Sequence, residues 1–249
     1  MAARFHVPAA RASGEVLALP EEEAAHLTRV LRLGCGDAVR VFNGLGLEFD
    51  AVVAGVESGR VTVRLGEAAT PAREPRAAVT LVQAVLKGDK MDDVVRDAVM
   101  LGVGAIHPVL TAHTEVTGAA LARGQRTERW QRIAVSSAKQ CGRATVPPVF
   151  HPFDFEGLVA ALADASLPAP AIMFVEPQAG VSAAKMADLG LEECDKATVI
   201  VGPEGGWTAA EIARAMPVVH FATLGGRTFR ADAAAVVALS ALLTALGEF

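Results

Sequence analysis

The sequence predicts an α/β protein in two parts: a small β-rich barrel over residues 1–70, a linker at 71–78, and an α/β domain with a mostly parallel sheet over 79–249. Three observations carry this prediction. Residues 1–70 hold short runs that alternate apolar and polar between turn signals, the pattern of paired antiparallel strands. Beyond residue 79, β-branched runs alternate with segments of helical period, which asks for a parallel sheet with crossover helices. Between the two lies Ala69-Thr70-Pro71-Ala72-Arg73-Glu74-Pro75-Arg76, whose prolines and mixed charges read as a connection.

In the first part, residues 21–31 read as a helix carrying His26, Arg29 and Arg32 at helical spacing. Strands at 37–42 and 48–53 flank the turn Asn43-Gly44-Leu45-Gly46, and residues 59–65 alternate again. In the second part, strands are expected at 79–86, 105–110, 171–175, 199–201 and 218–224, and helices at 87–101, 125–140 and 233–246. The last helix is apolar around most of its circumference, as a helix buried on several sides must be. It is shorter than the roughly 20 residues a bilayer span needs and contains Ser240 and Thr244, so it reads as buried and not as a membrane segment. The basic residues near the N-terminus are not followed by a continuous apolar core, which argues against a signal peptide and for the cytoplasm. Cys35, Cys141 and Cys194 are odd in number and widely spaced, so neither a disulfide framework nor a zinc site is expected, and no metal is called for.

The net charge of −5 argues by itself against a nucleic-acid partner, because a phosphate backbone rewards Lys and Arg. The distribution is uneven. Between residues 119 and 143 lie Arg123, Arg126, Arg129, Arg132, Lys139 and Arg143 against the single acid Glu128. Such a stripe is either a solvated helix face or a surface that grips phosphates.

The stretch Val199-Ile200-Val201-Gly202-Pro203-Glu204-Gly205-Gly206-Trp207-Thr208-Ala209-Ala210-Glu211 reads as strand, tight loop and helix, with Thr208 and Glu211 forming a capping box. A second glycine loop, Leu224-Gly225-Gly226-Arg227-Thr228-Phe229-Arg230, also leads into a helix. Neither carries a phosphate-binding signature, and Glu204 would repel a pyrophosphate. In open α/β sheets ligands lie beyond the carboxyl ends of the strands. A pocket between these loops would offer backbone groups to a flat polar ring, with Val175, Leu224 and Phe229 as walls. That suits adenosine without phosphates. S-adenosylmethionine, whose sulfonium tolerates Glu176 and Glu204 nearby, meets the description.

With these residues in view, the chain resembles the ribosomal RNA small-subunit methyltransferase E family, SPOUT-class enzymes that methylate N3 of one uridine in 16S rRNA. The resemblance rests on Ile200 to Glu211 followed by Leu224-Gly225-x-Arg227-x-x-Arg230-x-Asp232, and on His26 to Asp37, Leu86 to Met91, Arg129-Trp130 and Ala138 to Arg143 in the same order. It departs from the family at Thr111-Ala112-His113-Thr114, where a Ser-Glu-Arg-Ser-like turn is usual, and at Asp232, where a Glu is usual. The resemblance implies an N-terminal PUA-like RNA-binding domain, a SPOUT domain with a deep trefoil knot, a homodimer, and 16S rRNA in the 30S subunit as substrate. It implies S-adenosylmethionine contacts from Val175, Glu176, Val201, Gly202, Pro203, Glu204 and Gly205, and from Leu224, Gly225, Arg227, Thr228, Phe229 and Arg230. Methyl transfer is an in-line displacement needing positioning and removal of the N3 proton. Arg230 is the candidate to stabilise the developing uracil anion, and Glu204 or Asp232 the candidate base. Arg4, Arg29, Arg32, Arg129, Arg132 and Arg143 are the expected phosphate contacts. A non-catalytic ribosome-assembly factor and a methyltransferase acting on tRNA are the alternatives.

Overall fold

The computed structural model describes residues 2–116 and 125–248. The chain divides into two compact units: Met1–Glu74 together with Val135–Val146, and Pro75–Ala134 together with Pro147–Phe249.

In the first unit the strands β1 (Arg4–His6), β2 (Val16–Ala18), β3 (Ala38–Phe42), β4 (Glu48–Glu57) and β5 (Arg60–Ala69) form a five-stranded sheet in the order β1-β3-β4-β5-β2. β1 runs parallel to β3, and the other pairs are antiparallel. The hairpin β4–β5 turns at Ser58-Gly59, both with positive φ, the backbone that matches the right-handed twist of the strands. Register shifts between Phe49 and Ala51 and between Val53 and Gly55 bend these two long strands. Their inward set, with Phe5, Leu27, Val39, Val41, Phe49, Val61, Val63 and Leu65, forms the core. The helix expected at 21–31 is a short α1 (Glu21–Ala25) that runs into a π turn at His26–Val30. The Thr28 hydroxyl bonds back to the Ala24 carbonyl at 2.9 Å, and the Leu31 amide reaches the His26 carbonyl at 3.1 Å, which widens the turn.

In the second unit β6 (Ala78–Ala84), β7 (Ala105–Leu110), β8 (Phe153–Asp154), β9 (Ala171–Phe174), β10 (Lys196–Val201) and β11 (His220–Ala222) form a fully parallel six-stranded sheet, ordered β11-β9-β10-β6-β7-β8. The helices are α2 (Lys90–Met100), α3 (Arg126–Cys141), α4 (Phe155–Ala163), α5 (Ala209–Ala215) and α6 (Ala231–Ala245). Val82 and Ala84, Ala171, Met173 and Val175, and Ile200 share one buried face with Phe155 and Leu158 of α4 and Ile212 of α5. α6 packs against β10 and against α2. Sheets covered in this way read as continuous apolar runs, as β9 and β10 do. β8 and α4 fill a stretch in which no element is expected from the sequence. Asp154 caps α4, its carboxylate accepting from the Gly157 amide at 2.8 Å. α2 begins at Lys90 and not at 87, which leaves residues 87–89 as a loop.

Residues 135–146, the second half of α3 and the turn after it, pack with the first unit although the sequence places them in the second domain. Arg4 is the reason. Its guanidinium is bidentate on Glu48 at 2.9 and 3.0 Å and donates to the carbonyls of Ala138 at 2.7 Å, Lys139 at 2.8 Å and Arg143 at 2.9 Å. It lies 4.6 Å from the Phe42 ring centroid, and the Arg4 and Glu48 side chains are 8% and 1% exposed. The expectation that Arg4 grips a phosphate is therefore corrected: its five-donor fork is spent on a carboxylate and on carbonyls at a helix end. Removing it would strand Glu48 in the interior. Arg4→Ala is expected to lower stability by about 3–5 kcal/mol, measured by urea unfolding of the whole chain.

Candidate active site

Three strand ends meet at the carboxyl edge of the parallel sheet: Val175-Glu176 after β9, residues 202–208 after β10 and residues 223–230 after β11. The β10 loop is held from several sides. Glu211 is buried, and its Oε2 accepts from the Thr208 amide and hydroxyl, both at 2.8 Å, while the Thr208 hydroxyl accepts from the Glu211 amide at 3.2 Å. Its other oxygen accepts from the Ala112 amide at 2.9 Å, tying the β7 loop to the same helix start. The Trp207 indole donates to the Phe174 carbonyl at 2.9 Å. A Cβ on Gly205 would lie 2.8 Å from the Cβ of His113, and one on Gly206, at φ +66°, would lie 2.5 Å from both carboxylate oxygens of Glu176. Gly205 is thus demanded by the close Cβ of His113, and Gly206 by its left-handed backbone.

Between these loops lies an open pocket walled by Phe174, Val175, Val201, Trp207, Leu224, Phe229, Ala231 and Ala234, together with Gly202, Pro203 and Pro177. Glu176, Thr223, Arg227 and Thr228 supply its polar groups. Apolar walls with few polar groups suit a flat, largely uncharged ring, and no lysine lines the pocket to meet phosphates. Of the expected cofactor contacts, Val175, Glu176, Val201, Gly202, Pro203, Leu224, Arg227, Thr228 and Phe229 line this one cavity. Glu204, Gly205, Gly225 and Arg230 lie outside its lining. The sequence reading missed Phe174, Pro177, Trp207, Thr223, Ala231 and Ala234. Trp207 sits inside the motif and could have been found there; Ala234, one turn into α6, carries no local signal.

The candidate bases are both engaged. Burial pushes the Glu204 carboxyl up, but the Lys90 ammonium at 2.7 Å, its own amide and the Lys87 amide outweigh it and hold the group below the usual carboxylate range. Asp232 pairs with Arg230 at 3.3 Å, and the Arg230 side chain is 75% exposed.

The basic stripe is largely matched by acids from elsewhere in the chain. Arg129 pairs with Asp89 and Asp92, Lys139 with Glu23 at 2.6 Å, and Arg143 with Glu74 at 2.6 Å. Arg143 is buried, which corrects its expected place on a phosphate-binding surface. Arg132 on α3 and Arg29 and Arg32 of the first unit are exposed, Arg32 in a left-handed backbone conformation. Arg123 lies outside the described residues.

A parallel sheet with an apolar-walled pocket at its carboxyl edge, joined to a small five-stranded unit, fits an RNA methyltransferase. The RNA methyltransferase domain profile matches residues 72–243, and an RNA methyltransferase PUA domain matches residues 19–66. The chain belongs to the ribosomal RNA small subunit methyltransferase E family. A relative of that name from Synechocystis is 32% identical over 96% of this chain and 77% of its own length, and one from Bacillus subtilis is 28% identical over 89% and 87%. Among solved structures, the family member from Neisseria gonorrhoeae bound to S-adenosyl methionine is 30% identical, with TM-score 0.86 and 98% of both chains covered. A protein from Legionella pneumophila in complex with the bound cofactor SAM is 28% identical, with TM-score 0.88 and the same coverage.

The close approach at Gly206 can be tested directly. Gly206→Ala combines a left-handed backbone with a clash on Glu176 and is expected to cost about 1–3 kcal/mol in urea unfolding. Gly226→Ala, where a Cβ meets open space, is the neutral control.

Proposed function

We propose that this protein transfers the methyl group of S-adenosylmethionine to N3 of a uridine in 16S rRNA of the 30S subunit. The observation that carries this reading is the pocket shared by the Gly202–Trp207 and Leu224–Phe229 loops, built for a nucleoside without phosphates on a chain of this family. The bound group supplies an electrophilic methyl on a sulfonium, a cation compatible with Glu176 in the wall. Phe174, Val175, Leu224 and Phe229 exclude water from the adenosine and fix its orientation. Gly202 and Pro203 on one side and Leu224 on the other bring loop backbone to the pocket, where it can hydrogen-bond the ring edge. Arg230, exposed at the start of α6 and steadied by Asp232, is assigned the uracil oxygen whose charge grows as N3 loses its proton.

The reading includes a trefoil knot. It follows from membership of the family, whose resemblance implies one. It includes a homodimer, supported by the half-buried Val236, Val237 and Ser240 on the otherwise apolar α6. RNA is gripped through Arg29, Arg32 and Arg132. Among the described residues no helix is long and apolar enough to cross a membrane, in keeping with work on ribosomal subunits in the cytoplasm.

Nucleoside mass spectrometry of 16S rRNA from cells with and without the gene decides the reaction: loss of one N3-methyluridine is expected, and an unchanged rRNA profile with an altered tRNA would overturn the substrate. Charge reversal at Arg29, Arg32 and Arg132 should weaken binding to 30S particles and flatten its salt dependence, since fewer counterions are released. For Arg230→Lys, single-turnover methylation at saturating cofactor should slow by about 10² to 10³, because a point charge cannot replace the planar fork. A rate within a few-fold of wild type would leave Arg230 with the loop-fixing role that its Asp232 contact already performs.

A further inference from the structure

Methyl transfer changes the charge of what the pocket holds. The methyl carbon bonds to the acceptor nitrogen, whose proton passes to water, and the carbon–sulfur electron pair stays on sulfur. A sulfonium cation thereby gives way to a neutral thioether of almost the same shape. A full charge is felt across an apolar cavity with less screening than in water, so a charged group in the wall can tell the two apart.

Among the described residues that line the pocket, Glu176 is the one carboxylate and Arg227 the one cation. Arg227 is exposed, where water screens it, whereas Glu176 is half-buried. Glu204 and Asp232 lie outside the lining, and each faces a cation: Lys90 at 2.7 Å and Arg230 at 3.3 Å. Among the described residues no cation pairs with Glu176. The backbone fixes where Glu176 stands. The Val175 amide donates to the Ala222 carbonyl at 3.0 Å, and the Ala179 amide closes a turn on the Glu176 carbonyl at 3.0 Å, which pins the residue at the end of β9. A Cβ on Gly206 would lie 2.5 Å from both oxygens of the Glu176 carboxylate, so that carboxylate fills the space a side chain at 206 would take. It rests against the β10 loop, in the turn that also gives the wall Gly202, Pro203 and Trp207.

We propose that Glu176 biases this pocket toward the cationic, methyl-bearing cofactor and away from the neutral thioether that transfer leaves behind. The proposal rests on the S-adenosylmethionine reading, and it concerns charge within one cavity, not contact with a particular atom. At an effective dielectric constant of about 20, unit charges about 8 Å apart attract strongly enough to move an equilibrium by about tenfold or more. The Glu176 carboxylate exerts this attraction on the sulfonium before transfer and has nothing to exert it on afterwards. The ammonium and carboxylate of the amino-acid tail are the same in both forms, so they drop out of the comparison, as does the standing charge of Arg227. Product is therefore held less tightly, relative to cofactor, than the apolar walls alone would hold it, which favours its exchange for a fresh cofactor.

Calorimetry on the whole chain, with three ligands, tests this. They are S-adenosylmethionine, its product S-adenosylhomocysteine, and sinefungin, which carries an ammonium in place of the methylsulfonium. Glu176→Gln keeps the shape of the side chain and removes its charge. The variant should bind both cationic ligands about tenfold more weakly than wild type, with the thioether unchanged within about twofold. The retained thioether affinity also reports an intact fold. An unchanged ratio of cofactor to product affinity in the variant would overturn the proposal. So would an equal weakening of all three ligands, which would make Glu176 a structural part of the wall. A wild-type protein that binds none of the three would overturn the S-adenosylmethionine reading, and the role of Glu176 with it.

Discussion

One buried carboxylate, Glu211, organises the functional end of this molecule. It completes the capping box of α5 through Thr208, so it sets where the β10 loop ends and the helix begins. Its second oxygen takes the Ala112 amide, which docks the β7 loop against the same turn. Buried ionised carboxylates persist only when their hydrogen bonds are satisfied, and all three donors here come from the two loops that must be held. The spacing of the glycine loop, the seat of His113 and the shape of the pocket wall follow from this anchor.

The same accounting explains the first unit. Arg4 and Glu48 are interior charges that satisfy one another, and the donors left on the guanidinium are spent on carbonyls around the end of α3. A sequence stretch distant from residues 1–74 is thereby drawn into that unit. Burying such a pair is costly, so its value lies in specifying which segments meet more than in net stability.

Charge was the property least readable along the chain. The run of cations between 119 and 143 reads as a basic surface, but Glu23, Glu74, Asp89 and Asp92 arrive from other elements to pair with most of its described members. Among the described residues of that run, Arg129 and Arg132 of α3 stay exposed, and Arg29 and Arg32 are exposed beside the π turn. For a protein whose net charge is −5, contact with RNA must be concentrated at few points.

The sequence by itself determined the class of fold, because apolar runs such as those at 171–175 and 199–201, set between helical periods, admit little but a covered parallel sheet. It also determined the glycine loops and the capping box, which are local patterns whose physics acts over a few residues. Only the tertiary structure decided which side chains share the pocket, that Ala234 of α6 closes it, and that Glu204 turns to Lys90. It decided likewise that Arg4 and Arg143 are interior and that His113 rests on Gly206. Each of these depends on a partner far along the chain, and no local period or spacing encodes a distance between segments brought together by folding.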